Sequence, residues 1–468
     1  MQRRSLAALA ALVTIGSSSL FIPSANAQAA KAGGKCAKKQ VNKTIGTLIC
    51  KKEGKALVWR EVAVVASTAA PVVATPAGQD DFKGTEISFV HWRAEDKAVF
   101  DKLIDAFTAK TGIKVKTNIY PSNDYQSNAL NLIKDGDLGD VFTAFRGAQF
   151  FNMARAGLYT DLSNQSFVKN YVPNLIEPGS FDGKQLGLPY QLVFNMPIYN
   201  VDLLKSLNLT LPANVNDLPR FCKAVKDKGI TPIAWPGGET ANAGQLSMNG
   251  FMMNNFPTDD TFTKVDTGAA KVTDFWFTRS LQQFKETADD CFQDNPLGTN
   301  TNGAIALFAQ EKALMLATGT FHMGSALALN PKLNMQLYVP LTTKPGDAAK
   351  YEGIYNSTFI LGVNAKSKKQ GAALKFVEFL SDPANAEIYA NGTSQHSTIE
   401  GVKYTKKELQ DTAIWAKKKT LLAPRFQFLN LDVRNAVEKS FIDVVGGKSP
   451  QAAAAEAQST IDGKLGVK

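Results

Sequence analysis

From residue 86 onward the apolar positions switch repeatedly between two periods. Glu86–His91 alternates, the period-two signature of a strand. From Glu95 to Lys110 the apolar residues Val99, Leu103, Ile104 and Phe107 recur at helical spacing, and Thr111-Gly112 ends the run. Ile113–Ile119 then reads as a second strand and Tyr125–Lys134 as a helix. Gly136–Asp140 leads into a third strand, Val141–Phe145. The alternation returns with a strand at Phe359–Asn364 and a helix at Gln370–Leu380. The chain closes on alanine-rich helical stretches, Asp432–Val445 and Pro450–Ile461. Strands alternating with helices predict an α/β architecture with largely parallel sheets.

Upstream of this body the pattern is different. Arg3 and Arg4 precede an apolar run from Leu6 to Ile15 and small residues ending in Ala25-Asn26-Ala27, the order of a secretory signal peptide cleaved after Ala27. The run is too short to cross a bilayer core of roughly 30 Å. Residues 28–61 form a small basic piece in which Thr47–Cys50 and Ala56–Trp59 read as two short strands. So small a module depends on a staple, and Cys36 with Cys50 would supply it. Residues 62–81 have the small, apolar, Pro/Gly composition of an extended linker.

Charge sharpens this division. Residues 1–60 hold eight lysines and three arginines against Glu53, and so carry the whole chain's net charge of +10. The body is neutral, which removes the chief support for a nucleic-acid reading. The basic module is either a solvated spacer or a contact for an anionic cell wall. The other cysteines, Cys222 and Cys291, are too far apart for a tight zinc motif, and His91, His322 and His396 are scattered. In an exported chain the even count favours two disulfides, Cys36–Cys50 and Cys222–Cys291. No cofactor is expected.

The body also carries a resemblance. The blocks "FDKLIDAFTAKTGIKVKTNIYPSNDYQSNALNLIKDGDLGDVF", "ARAGLYTDLS", "FDGKQLGLPYQLVFNMPIYNVDLLKSLNL", "LPRFCKAVKDKGITPIAW", "FAQEKALMLATGTFHMG" and "FILGVNAKSKKQGAALKFVEFLSDP" occur in this order. Together they resemble the family 1 extracellular solute-binding proteins of ABC importers, the group of maltose- and oligosaccharide-binding proteins. The residue 28–61 piece resembles the short cysteine modules of some secreted actinobacterial proteins. The resemblance implies a two-lobed periplasmic-binding-protein fold of the maltose-binding type with a hinge. On that reading lobe 1 takes residues 82–192 and 357–408, and lobe 2 takes 193–356 and 409–468. It implies a monomer that binds a sugar between the lobes, with a membrane permease as partner and no nucleic acid. The chain should cross between lobes near Gly187–Asn195 and again near Gly353–Thr358.

Sugars are held by aromatic faces and by planar polar side chains, so the candidates are such residues in strand-to-helix loops. Trp92 and Arg93 follow the first strand; a core tryptophan is the alternative for Trp92. Asn123, Asp124 and Tyr125 follow the second, where Asn123 or Asp124 would serve equally as a helix N-cap. Arg146 ends the third strand, where maltose-type proteins hold an arginine. In the second lobe Trp235, before Pro-Gly-Gly, is the preferred stacking residue, opposite Trp92. Phe321 stands where the family often has Gly-x-Trp, His396 lies in a loop that the resemblance turns toward the cleft, and Arg425 comes from the late loop of the second lobe.

Rival readings find less support. A glycosidase needs two carboxylates across the cleft, and the sequence singles out no such pair. There is no Gly-x-Ser-x-Gly elbow and no His-Glu-x-x-His. Gly447-Lys448-Ser449 mimics the end of a phosphate loop, but Ile442 stands where that motif needs glycine. Iron binding would call for paired tyrosines, and polyamine capture for acids at these loops. A phosphorylated ligand would suit Arg93, Arg146 and Arg425.

Overall fold

The computed structural model describes residues 35, 44–45, 48–53, 56–61, 82–134, 139–339 and 342–466. They fall into two compact units, one up to Thr75 and one from Pro76 onward. The expected signal segment, the linker at 62–81 and the Cys36–Cys50 bridge lie outside the described residues.

In the first unit, strands Thr44–Ile45, Leu48–Glu53 and Ala56–Glu61 form an antiparallel sheet, with Cys50 opposite Trp59. Trp59 is buried, so even this small sheet has an apolar side.

The second unit is built on two sheets. One has seven strands in the order His396–Ser397, Leu188–Phe194, Gly353–Val363, Val141–Ala144, Glu86–His91 and Lys114–Ile119; Thr420–Leu422 pairs beside the start of Gly353–Val363. The three opening strands are parallel, as the helical crossovers require. The expectation of a largely parallel sheet fails beyond them. Gly353–Val363 returns from the other lobe and runs antiparallel to both Val141–Ala144 and Leu188–Phe194. The second sheet has the order Thr231–Ala234, Ala313–Leu316, Ile198–Asn200, Met335–Leu337. Asn195–Pro197 separates the last strand residue of one sheet from the first of the other, so the chain changes lobe there.

Helices cover the sheets, and the strands Leu188–Phe194 and Val141–Ala144 are buried along their whole length. That burial explains their near-continuous apolar sequence. The closing helices Leu431–Val445 and Pro450–Leu465 pack on Phe275–Cys291 of the second lobe. Phe441 meets Phe277 and Phe284 edge-on at 5.6 and 5.4 Å. Cys222, in helix Leu218–Lys226, is bonded to Cys291 at the end of Phe275–Cys291, and both are fully buried.

One backbone feature lies next to the hinge. Phe359, in the strand Gly353–Val363, has φ +53° although it is a buried aromatic. Such a conformation costs on the order of 1–3 kcal/mol and persists only when packing enforces it. Here the ring is held against Phe100, His91 and Trp92.

Candidate functional site

Between the lobes lies a cavity of about 610 Å³. Strand alternation builds its floor. Gln191, Val193 and Asn195 face it from the Leu188–Phe194 crossing, and Asn356 and Thr358 from Gly353–Val363. The intervening residues Leu192, Phe194 and Tyr355 face the other way, into a separate cavity of about 710 Å³. The crossing strands therefore divide a front cavity from a back one.

The first-lobe wall is aromatic. Trp92 leaves the strand Glu86–His91 and stacks on Phe145 with ring centroids 3.7 Å apart and planes 21° apart. Tyr125 and Phe359 support it from behind at 5.4 and 5.0 Å. Arg93 is buried beside it. Its Nε and Nη2 donate to the Asp96 carboxylate at 2.5 and 2.9 Å, and its Nη1 lies 3.3 Å from Glu95. Burial alone would weaken the arginine's hold on its proton, but the two carboxylates outweigh it and raise the group above its ordinary range. Tyr389 donates to Asp96 as well, and Gln191 to Tyr389, which ties the wall to the floor.

The second-lobe wall is polar. Phe321 and His322 come from the turn after Ala313–Leu316, Glu239 and Gln245 from either side of helix Thr240–Gly244, and Thr301 from the start of Thr301–Ala309. Burial and the nearby Arg93 charge push the His322 imidazole down to about 3, so it is neutral. Four buried polar atoms around the cavity have no protein partner: Asn195 Oδ1, Asn356 Oδ1, Thr358 Oγ1 and His322 Nδ1. Such atoms need water or ligand hydroxyls. The walls also touch directly. Arg93 Nη2 and Gln395 Nε2 both donate to the Phe321 carbonyl, at 3.4 and 3.3 Å, and Asn195 Nδ2 donates to Gln245 Oε1 at 2.7 Å.

Of the residues singled out from sequence, Trp92, Arg93 and Phe321 meet at this cavity, and the other described ones do not line it. Asp124 is exposed away from it, and the Asn123 side chain lies outside the described atoms. Tyr125 is core: its helix turns the ring inward and its hydroxyl donates to Thr143 O at 2.5 Å. Arg146 lies in a separate hollow, 3.4 Å from Ser357 Oγ and 3.6 Å from Glu177. Trp235 is fully buried. Its ring stacks on Phe292 at 5.0 Å and its Nε1 donates to Ala243 O at 3.1 Å. The Pro-Gly-Gly turn folds back over that ring instead of opening it to the cleft; a Cβ on Gly237 would sit 2.3 Å from the indole. His396 pairs with Leu192 and so belongs to the back cavity, where its Nε2 bonds Thr412 Oγ1 at 2.8 Å and burial pushes it down to about 4. Arg425 is buried against Glu438 at 2.8 Å, and its Nη2 reaches Gln126 Oε1 at 3.1 Å.

The floor residues Gln191 and Asn195 are not among those singled out from sequence. Gln191, in an otherwise apolar strand, and Asn195, just past its end, are polar residues at even spacing, a period-two signal that one face meets something polar.

The comparisons with known proteins agree with this geometry. Residues 92–387 match the sequence profile of the bacterial extracellular solute-binding proteins. The chain belongs to that family. Relatives include the multiple sugar-binding protein of Streptococcus mutans, 22% identical over 336 residues that cover 70% of this chain and 79% of that protein. The melibiose/raffinose/stachyose-binding protein MelE of Bacillus subtilis is 23% identical, over 66% of this chain and 72% of its own. Among solved structures, the solute-binding protein RafE in complex with raffinose superimposes with a TM-score of 0.70 at 18% identity, covering 81% of this chain and 99% of that one. That likeness establishes the two-lobed α/β fold. The family is one of extracellular solute-binding proteins, and both relatives are sugar-binding proteins. Among the described residues no helix is long and apolar enough to cross a membrane, and no group of three or more His, Cys, Asp or Glu side chains could hold a metal.

Proposed function

We propose that this chain is the ligand-capturing subunit of an ABC importer and takes a mono- or short oligosaccharide between its lobes. The observation that carries this is the cavity itself: an aromatic wall at Trp92 and Phe145 faces a wall and floor of amides, hydroxyls and unpartnered acceptors. Apolar ring faces suit the C–H surface of a sugar, and the acceptors suit its hydroxyls. About 610 Å³ lies in the range that encloses a small ligand. The names of the relatives point to the same class.

A phosphorylated ligand fits less well. Arg93 is already neutralised by Asp96 and Glu95, and Arg425 by Glu438, while Arg146 lies outside the cavity. The lobe division proposed is 82–192 with 357–408 and 193–356 with 409–468, supported by the sheet breaks after Phe194 and before Gly353. In this reading the chain is exported by residues 1–27, cleaved after Ala27, and acts as a monomer that docks on a permease. The basic residue 28–61 module then contacts an anionic wall.

A thermal melt of the secreted chain against sugars, glycerol phosphates and polyamines tests the reading. Ligand at a hundred times its dissociation constant adds about 2.7 kcal/mol to the native state. A shift with sugars that stay unaltered on incubation supports it; a shift only with the other classes, or consumption of the sugar, refutes it.

A further inference from the structure

The cleft holds more carboxylates than cations, and the one with no cation beside it is Glu239. On the first wall, Arg93 is paired with Asp96 and Glu95, and Lys97 with Asp101 at 2.5 Å. Glu239 lines the same cavity from the second wall, and every group bound to its carboxylate is neutral. Thr301 donates its backbone N–H at 3.2 Å and its hydroxyl at 2.6 Å, and Asn242 donates Nδ2–H at 3.4 Å. Among the described residues Glu239 enters no ion pair. The basic side chain nearest in chemistry, His322, feels the Glu239 charge yet stays neutral because it is buried beside Arg93.

These donors fix the carboxylate in place without cancelling its charge. When the lobes close over a ligand and expel water, an uncompensated carboxylate loses hydration that three neutral donors only partly replace. A neutral hydroxyl restores one hydrogen bond. A protonated amine restores hydrogen bonds and the missing charge together. The rings that line the cavity, Trp92 and Tyr120 on one wall and Phe321 on the other, tolerate the same cation.

Building on the sugar reading above, we infer that the ligand of this cleft contains an amino-sugar unit, and that Glu239 receives its ammonium group. The N-acetylated form of that unit, which has lost the charge, is then a poorer ligand.

Calorimetry at neutral pH on the full secreted chain tests this with matched series in the gluco and galacto configurations. Each series, as monosaccharide and disaccharide, contains the free amine, the N-acetyl derivative and the plain hydroxyl sugar. The amine should bind at least tenfold more tightly than its two partners in one series. Glu239→Gln, checked by its melting curve, should remove that preference. Neutral members binding as tightly as the amine in every series overturn the inference while leaving the sugar reading intact. An amine preference that survives Glu239→Gln overturns the assignment to this residue. Failure of every series to bind overturns both.

Discussion

Removing the Cys222–Cys291 bond should cost the second lobe much of its margin of stability. The bond closes a loop with a sequence separation of 69, and both cysteines are fully buried. Chain-entropy cost for a loop of that length is about 4 kcal/mol, set by restriction of the unfolded chain. Replacing both residues, Cys222→Ala with Cys291→Ala, avoids a stray buried thiol and leaves only small cavities. The helices it joins, Leu218–Lys226 and Phe275–Cys291, are already packed together, so the native fold and the cleft should survive. Denaturant unfolding of the two proteins should differ by about 4 kcal/mol, and reducing agent should reproduce the loss in the parent chain. A double variant within about 1 kcal/mol of the parent would refute the loop argument.

Other outcomes follow from the same contacts. Trp92→Ala removes the first-lobe ring edge and should weaken sugar binding about two- to threefold by calorimetry, because Trp92 is 8% exposed and offers a ligand roughly 20 Å² of apolar area. Trp235→Ala should instead cost about 3–5 kcal/mol of stability while leaving affinity within threefold, because that ring lies in the core. Glu438→Gln strands the buried Arg425 charge and should destabilise by about 3–5 kcal/mol in denaturant melts, with Arg425→Met added to Glu438→Leu recovering most of it. Acid should unfold the chain early. Burial pushes His91 and His322 down to about 3 and His396 to about 4, whereas the unfolded residues titrate near 6.5. The unfolded state therefore binds more protons below about pH 6.5, and stability falls as pH drops, by about 2 kcal/mol per histidine at pH 5. Asp266, pushed up to about 6 by burial, acts in the opposite sense; solvent screening leaves it about 1 kcal/mol. A melting temperature that is flat between pH 7 and 5 would contradict this.

The fold was legible because period and order are local signals. The switch from alternation to helical spacing at Glu86–Lys110 located the first strand and helix, and ordered blocks carried the two-lobed plan. The site was legible only where a strand end delivers a side chain straight into the cleft, as at Trp92 and Arg93. It failed where direction depends on tertiary packing. Trp235 also ends a strand, yet Phe292 and the returning glycine turn enclose it. His396 missed because a two-residue strand beside Leu188–Phe194 placed it on the opposite face. Glu239 gave no signal, since its meaning comes from the charges that are not beside it.

In the proposed function, ligand is held between both walls and the floor of the front cavity. Hydrogen exchange of the full chain, with and without a saturating sugar found in the thermal screen, addresses it directly. Ligand should slow exchange together in the segments 92–97, 191–195, 239–245, 321–322 and 356–358, which carry the residues lining the front cavity. Protection confined to one wall, or centred on residues 396–404 of the back cavity, would contradict the account.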